Sequence, residues 1–226
     1  MIKMIALIWD FDGVVVFTPH EKAWRITAHR FGILNLTSEF YHRYVSGRPR
    51  YEGARIILSL LGGYAGPELE QLVELFASEK NRVFNLLVES GEVEVNRPAI
   101  EFILRTRRGN RPAFKHVLAS ASRNAVRLAT RLEYLGRPLS SFFDADVSGS
   151  GATKREIFEK AMKAVREADC FIAIDDAPSG VRTAAELGII PVGYSDRGLE
   201  DHGARMIIEK FEGLEPEVLV ELCRSR

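Results

Sequence analysis

Short apolar runs that stop at an aspartate, a serine or a glycine recur along the chain. Ile5–Trp9 is a continuous apolar run followed at once by Asp10-Phe11-Asp12-Gly13. That pattern predicts a parallel strand, buried on both faces, that ends in a functional turn. Three later runs repeat it: His116–Ala119 ends at Ser120, Cys170–Ile174 at Asp175-Asp176, and Ile189–Val192 at Gly193. Helical periodicity lies around and between these runs. Pro98–Arg107, Asn124–Leu135 and Lys154–Glu167 each repeat apolar residues at three- and four-residue spacing, and Ser179–Leu187 stops at Gly188. Strand-helix alternation predicts an α/β fold: a doubly wound, Rossmann-like parallel sheet with helices on both faces. Ligands of such sheets bind beyond the carboxyl ends of the strands, where the polar residues above fall.

Residues 16–95 differ. Glu21–Phe31, Tyr51–Leu61 and Glu68–Val88 carry amphipathic helical periodicity, and no strand is expected among them. The stretch is too long for one crossover, which needs about a dozen residues or more. It predicts an inserted α-helical cap over 16–95, with a catalytic core of residues 1–15 and 96–226.

Composition narrows the class. The chain has 226 residues and zero formal net charge, so nothing in its balance calls for nucleic acid or an acidic membrane surface. Arg105, Arg107, Arg108, Arg111 and Lys115 form a local basic cluster, read as a solvated helix end rather than a binding patch. Cys170 and Cys223 lie far apart without a CxxC spacing, and predict neither a zinc site nor a disulfide framework. Cys170 reads as a small core residue, and a reducing, cytoplasmic compartment fits. The first residues lack the long apolar region and cleavage site of a signal peptide, and no run is long enough to span a bilayer. Arginine outnumbers lysine, and Cys and Met are few, a leaning toward a heat-adapted source.

The chemistry starts with Asp10 and Asp12. Residues two apart in an extended chain face the same way, so both carboxylates face the strand-end crevice. Like charges that close need a cation or a proton between them. One carboxylate can then attack phosphorus while the other moves protons. The plainer reading is an Asp-Gly turn. Asp175 and Asp176 offer hard oxygen ligands that suit magnesium, or else a helix cap before Pro178. Ser120 and the backbone N–H groups after it suit a phosphate cradle, where Ser122 or Asn124 could instead cap the helix. Lys154 opens a helix, a position that favours acids, and would hold charge on Asp10 and the phosphate; the alternative is a surface lysine.

Taken together, WDFDGVVV, LASAS, Lys154 in ATKREIFEKA, and IAIDDAPSGVRTAAELGI resemble the haloacid dehalogenase-like hydrolases with a helical cap after the first strand. The resemblance covers nearly the whole chain. It implies that Asp10 becomes an aspartyl-phosphate and that Asp12 is the general acid/base. It implies that Asp10, the Asp12 carbonyl and Asp176 hold Mg2+ with Asp175 close by. Ser120 and Ala121 would hold the phosphate, and Lys154 would neutralise charge. The chain departs from the family pattern at Arg155, where proline usually follows the lysine, and at Phe17-Thr18.

Asp12 argues against dehalogenation. HEKAW, with His20, and LASASRN, through Asn124, look like the beta-phosphoglucomutases. SGRPRYEGA looks like phosphoglycolate and sugar phosphatases, with Arg48 and Arg50 as candidates for an anionic substrate. The expected function is a magnesium-dependent phosphatase of small phosphorylated metabolites, with His20, Arg48, Arg50 and Asn124 at the substrate. A beta-phosphoglucomutase-like phosphotransferase is the runner-up. A receiver-type signalling protein and a non-catalytic phosphate binder are the remaining classes. The only partner expected is a small-molecule phosphorylated substrate, with the chain a monomer or homodimer.

Overall fold

The computed structural model describes residues 2–108 and 112–225. Arg111 of the basic cluster lies outside them. Six strands form one sheet in the order β10-β9-β8-β1-β4-β7. They are β1 (Met4–Trp9), β4 (Ala113–Leu118), β7 (Ala145–Asp146), β8 (Cys170–Asp175), β9 (Ile190–Tyr194) and β10 (Met206–Ile208), and every pairing among them is parallel. β1 lies between β4 and β8, in register Leu7↔His116 and Leu7↔Ile172.

The continuous apolar run of β1 follows from that central place. Ile5, Leu7 and Trp9 pack on one side with Phe102, Ile103 and Leu219, from α5 (Arg97–Thr106) and α9 (Pro216–Arg224). Ala6 and Ile8 pack on the other with Ile157, Phe158 and Ala184, from α7 (Lys154–Ala164) and α8 (Pro178–Glu186). Helices therefore cover both faces of the sheet, as the alternating pattern predicts.

Between β1 and β4 the chain leaves the sheet through an antiparallel ribbon, β2 (Val16–Phe17) against β3 (Glu94–Val95). The helices between them are α1 (His20–Arg30), α2 (Ser38–Phe40), α3 (Arg50–Leu60) and α4 (Gly66–Glu89). A five-residue π-helical stretch, Tyr41–Val45, follows α2. Trp24, Ala28, Ile57, Leu58 and Phe76 form a cluster of their own there. The end of α4 reaches the main core through Val83 and Phe84.

The structure corrects several expectations. The stretch read as strandless carries β2 and β3 at its two ends. The helix expected over Asn124–Leu135 stops as α6 (Asn124–Arg131), because Leu132 turns extended and leads into a hairpin of β5 (Glu133–Tyr134) and β6 (Arg137–Pro138). Cys170 and Cys223 form a disulfide, with Cα atoms 6.1 Å apart, which staples α9 to the first residue of β8. That pairing removes the cysteine argument for a reducing compartment. The basic cluster is largely spent internally. Arg105 donates to the Phe211 and Leu214 carbonyls, and Arg107 and Lys115 pair with Asp144. Among the described residues no helix is long and apolar enough to cross a membrane.

Candidate active site

The parallel sheet delivers its polar residues to one end. Asp10 follows β1 and donates its backbone N–H to the Ile174 carbonyl. Ser120 lies just beyond β4, and Asp175 ends β8 with Asp176 next. Lys154 starts α7, where the Thr153 side chain caps the helix by accepting from the Glu156 N–H. Its Nζ lies 2.6 Å from Asp10 Oδ1 and 2.9 Å from Asp175 Oδ2. Lys154 is thus a buried bridge between the two strand ends and not a surface lysine, and Arg155 beside it points instead toward Glu159 and Glu186.

Charge in this cluster is unbalanced. Burial pushes the Asp10 carboxyl up to about 7, opposed by Lys154 and reinforced by Asp175 and Asp12. Burial, with Asp175 and Asp10, also pushes Asp176 well above the ordinary carboxylate range. Burial opposes the Lys154 ammonium, but Asp10 and Asp175 outweigh it and hold the charge. One lysine cannot neutralise three carboxylates, and a divalent cation would.

The residues fit such a cation. Oxygens of Asp10, Asp175 and Asp176 lie within 4.8 Å of one another, a hard donor set of the kind magnesium takes. Two glycines make room for them. A Cβ on Gly13 would stand 2.0 Å from Asp176 Oδ2, and one on Gly180 would stand 1.9 Å from Asp175 Oδ2. Gly13 also has φ +90°, a left-handed conformation that a side chain strains. Gly13→Ala should therefore weaken metal binding and turnover by about a hundredfold, the upper cost of disturbing groups around a metal. A magnesium titration of activity with unchanged circular dichroism checks it; wild-type magnesium dependence in that variant would refute this packing role.

Asp12 sits in a different environment from Asp10. It accepts from Thr18 Oγ1 at 2.8 Å, approaches Ser120 Oγ at 3.4 Å, and lies 3.3 Å from His20 Nε2. Burial disfavours its charge, but His20 and the Thr18 hydroxyl overcome that and hold it below the ordinary value. His20, expected at the substrate, also links Asp12 to Lys80, whose Nζ is 2.6 Å from His20 Nδ1. The sequence reading missed Lys80. The available signal was a lysine on the same face of α4 as Phe76, Ala77, Val83 and Phe84. Ser148 was also missed; its hydroxyl accepts from the Ser120 N–H at 3.1 Å.

A cavity of about 420 Å³ joins these groups to the helical segment. Ala121, Asn124, Arg48 and Arg50 line it together with Asp10, Asp12, His20, Ser120 and Asp176. Lys154 and Asp175 are buried and do not line it; Lys154 reaches it through its contact with Asp10. Asn124 opens α6 and reaches across to α4, donating from Nδ2 to Asn81 Oδ1 at 2.9 Å. Arg48 pairs with Glu52 one helical turn on. Arg50 Nε is buried with no hydrogen-bond partner. The loop that carries Arg48 and leads into Arg50, the first residue of α3, rests on the start of α8, where Ser179 Oγ donates to the Ser46 carbonyl at 3.0 Å.

A central-strand aspartate pair, a lysine bridging to acids on the neighbouring strand, and a helical segment inserted between them define a class of protein. The chain belongs to the haloacid dehalogenase-like hydrolases, whose family model matches residues 4–188. The chain is similar to an archaeal beta-phosphoglucomutase from the hyperthermophilic Pyrococcus sp. strain ST 04, with 42% identity over 99% of this chain and 100% of that one, at a TM-score of 0.80. It is also similar to a beta-phosphoglucomutase from Clostridium difficile, at 25% identity, 100% and 98% coverage and a TM-score of 0.77. A predicted phosphatase from Clostridium acetobutylicum shares the fold at 19% identity, 95% and 98% coverage and a TM-score of 0.70. No curated protein matches the chain.

Proposed function

We propose that this chain is a magnesium-dependent phosphotransferase that moves a phosphoryl group between two positions of a small sugar phosphate through Asp10. The observation that carries this reading is Arg50. Arg50 lines the same cavity as Asp10, and its buried Nε has no hydrogen-bond partner, so the guanidinium is a candidate anchor for a second phosphate besides the reacting one. The likeness to the Pyrococcus beta-phosphoglucomutase supports it.

In this reading residues 1–15 and 96–226 are the core and 16–95 the cap. Asp10 attacks phosphorus in line, and Asp12, a carboxylate in the empty site, takes up a solvent proton as the phosphate binds and passes it to the leaving oxygen. The aspartyl-phosphate then passes its phosphoryl group to a second hydroxyl, whose proton Asp12 accepts. The Thr18 hydroxyl and His20 orient the Asp12 carboxyl for both transfers. Lys154 holds the Asp10 oxygen that does not react, and Ser120 with the Ala121 N–H receives the phosphate oxygens. Magnesium, held by Asp10, the Asp12 carbonyl and Asp176 with Asp175 beside them, would neutralise charge on the transferring group. The cap excludes water, so that a sugar hydroxyl is the acceptor.

Hydrolysis of small phosphomonoesters through the same aspartyl-phosphate is the second reading. It is favoured by the pairing of Arg48 with Glu52, which leaves fewer free cations to grip a second phosphate. The test is beta-glucose 1-phosphate with magnesium, following glucose 6-phosphate and free phosphate together. Glucose 6-phosphate without phosphate release is expected, with EDTA stopping the reaction and magnesium restoring it. Phosphate release in step with substrate loss establishes hydrolysis instead. Turnover that persists in EDTA overturns the metal assignment.

A further inference from the structure

Lys80 occupies a place where a lysine side chain is costly. Its residue is 3% exposed, on the buried face of α4. Its Nζ lies 4.9 Å from the Trp24 ring centroid and 4.8 Å from that of Phe84. Among the described residues no carboxylate pairs with it; its polar contact is His20 Nδ1 at 2.6 Å. The His20 ring is itself stacked on Phe84 at 4.1 Å between centroids. An amine fixed between two aromatic rings and an imidazole loses most of its hydration, which disfavours the ammonium. Burial accordingly pushes Lys80 down to about 7, against the pull of Asp12 and with Arg50 adding to the push. Lys80 nevertheless lines the cavity that Asp10, Ser120 and Arg50 also line. A desolvated lysine of this kind is the form that adds to carbonyl carbon.

We propose that Lys80 is a covalent capture site for small phosphorylated aldehydes, including the open-chain forms of aldose phosphates. The inference rests on the phosphate-handling reading of this cavity, which supplies the anchor that brings the carbonyl to the amine. The Nζ lone pair adds to the carbonyl carbon, and the carbon–oxygen π pair moves to oxygen, which takes a proton. The nitrogen gives up a proton, for which His20 is in hydrogen-bond contact. Loss of water then closes the carbon–nitrogen double bond. Amine and aldehyde become imine and water, and no oxidant or reductant is involved. The adduct fills the cavity, so a phosphorylated aldehyde is a reversible covalent inhibitor of the phosphoryl transfer.

The full chain is incubated with pyridoxal 5′-phosphate, reduced with borohydride and mapped by peptide mass spectrometry. Lys80 should carry the label before the exposed Lys22, Lys160 and Lys163 do. Inorganic phosphate should protect it. Pyridoxal without its phosphate should label Lys80 about tenfold less, the loss expected for one charge-assisted hydrogen bond. Turnover should fall in proportion to the Lys80 label and return on dilution if borohydride is omitted. Label spread over surface lysines with Lys80 unmodified overturns the proposal, and so does equal labelling by pyridoxal. These measurements use wild-type protein, so they do not depend on how a Lys80 variant folds. A chain that interconverts or hydrolyses sugar phosphates yet leaves Lys80 unlabelled sinks this inference alone. A labelled Lys80 in a chain that turns over no phosphate ester sinks the reading of the reaction instead.

Discussion

Asp10→Asn should lower turnover by about ten-thousand-fold or more, the scale of removing a nucleophile from a site that acts as a unit. It should do so without unfolding the protein. The amide keeps the shape of the carboxylate, and Lys154 retains Asp175 at 2.9 Å. The same substitution should raise metal-free thermal stability at pH 8. The Asp10 pKa in the fold is raised from 3.8 to about 7, chiefly by burial. A group raised in the fold favours folding below its unfolded value, and that contribution is lost as pH rises through the folded value. Above about 7 the ionised carboxylate therefore opposes folding, and the neutral amide does not. Activity assays paired with melting curves in chelator check both halves. Surviving activity would falsify the nucleophile assignment, and a lower melting point would contradict the account of a costly buried charge.

Cys223→Ser should cost about 4 kcal/mol, from the loop-closure entropy of a disulfide across a sequence separation of 53 residues. For a chain of this size that is a fall in melting temperature of about ten degrees. Dithiothreitol should produce the same fall in the wild type and none in the variant. Two free thiols in the unreduced protein, or a melting point indifferent to reductant, would show that the bridge does not form. The effect should fall on stability and not on turnover, because Cys170 opens β8 at the end opposite Asp175.

Much of this architecture is readable from the chain, and the limits have physical causes. β1, β4, β8 and β9 are legible because burial on both faces demands unbroken apolar runs. β7 and β10 are not, since two- and three-residue edge strands show no period. β2 and β3 escape for the same reason. α9 carried a readable signal, Pro216 at its start and Leu219, Val220 and Cys223 buried on one face. The motif aspartates announce themselves because each interrupts an apolar run. Lys80 announces nothing by type; only its position on the apolar face of α4 marks it. The cysteine pair is a matter of distance in space, which spacing along the chain does not encode.

The central place of β1 has a consequence for how the protein is made. Its neighbours begin at Ala113 and Cys170, so the first strand synthesised has no partner until half the chain exists, and gains its second only much later. At about 5–20 residues per second, that interval is on the order of ten seconds. Throughout it the Ile5–Trp9 segment is an unpaired, wholly apolar strand, while the helices of 20–89 can already collapse on Trp24 and Phe76. Assembly should therefore run from the middle of the sequence outward, with the N-terminal strand inserted late between partners made long after it. Until then the segment is open to pairing with other chains, and the cluster of Asp10, Lys154 and Asp175 closes only after β8 is made.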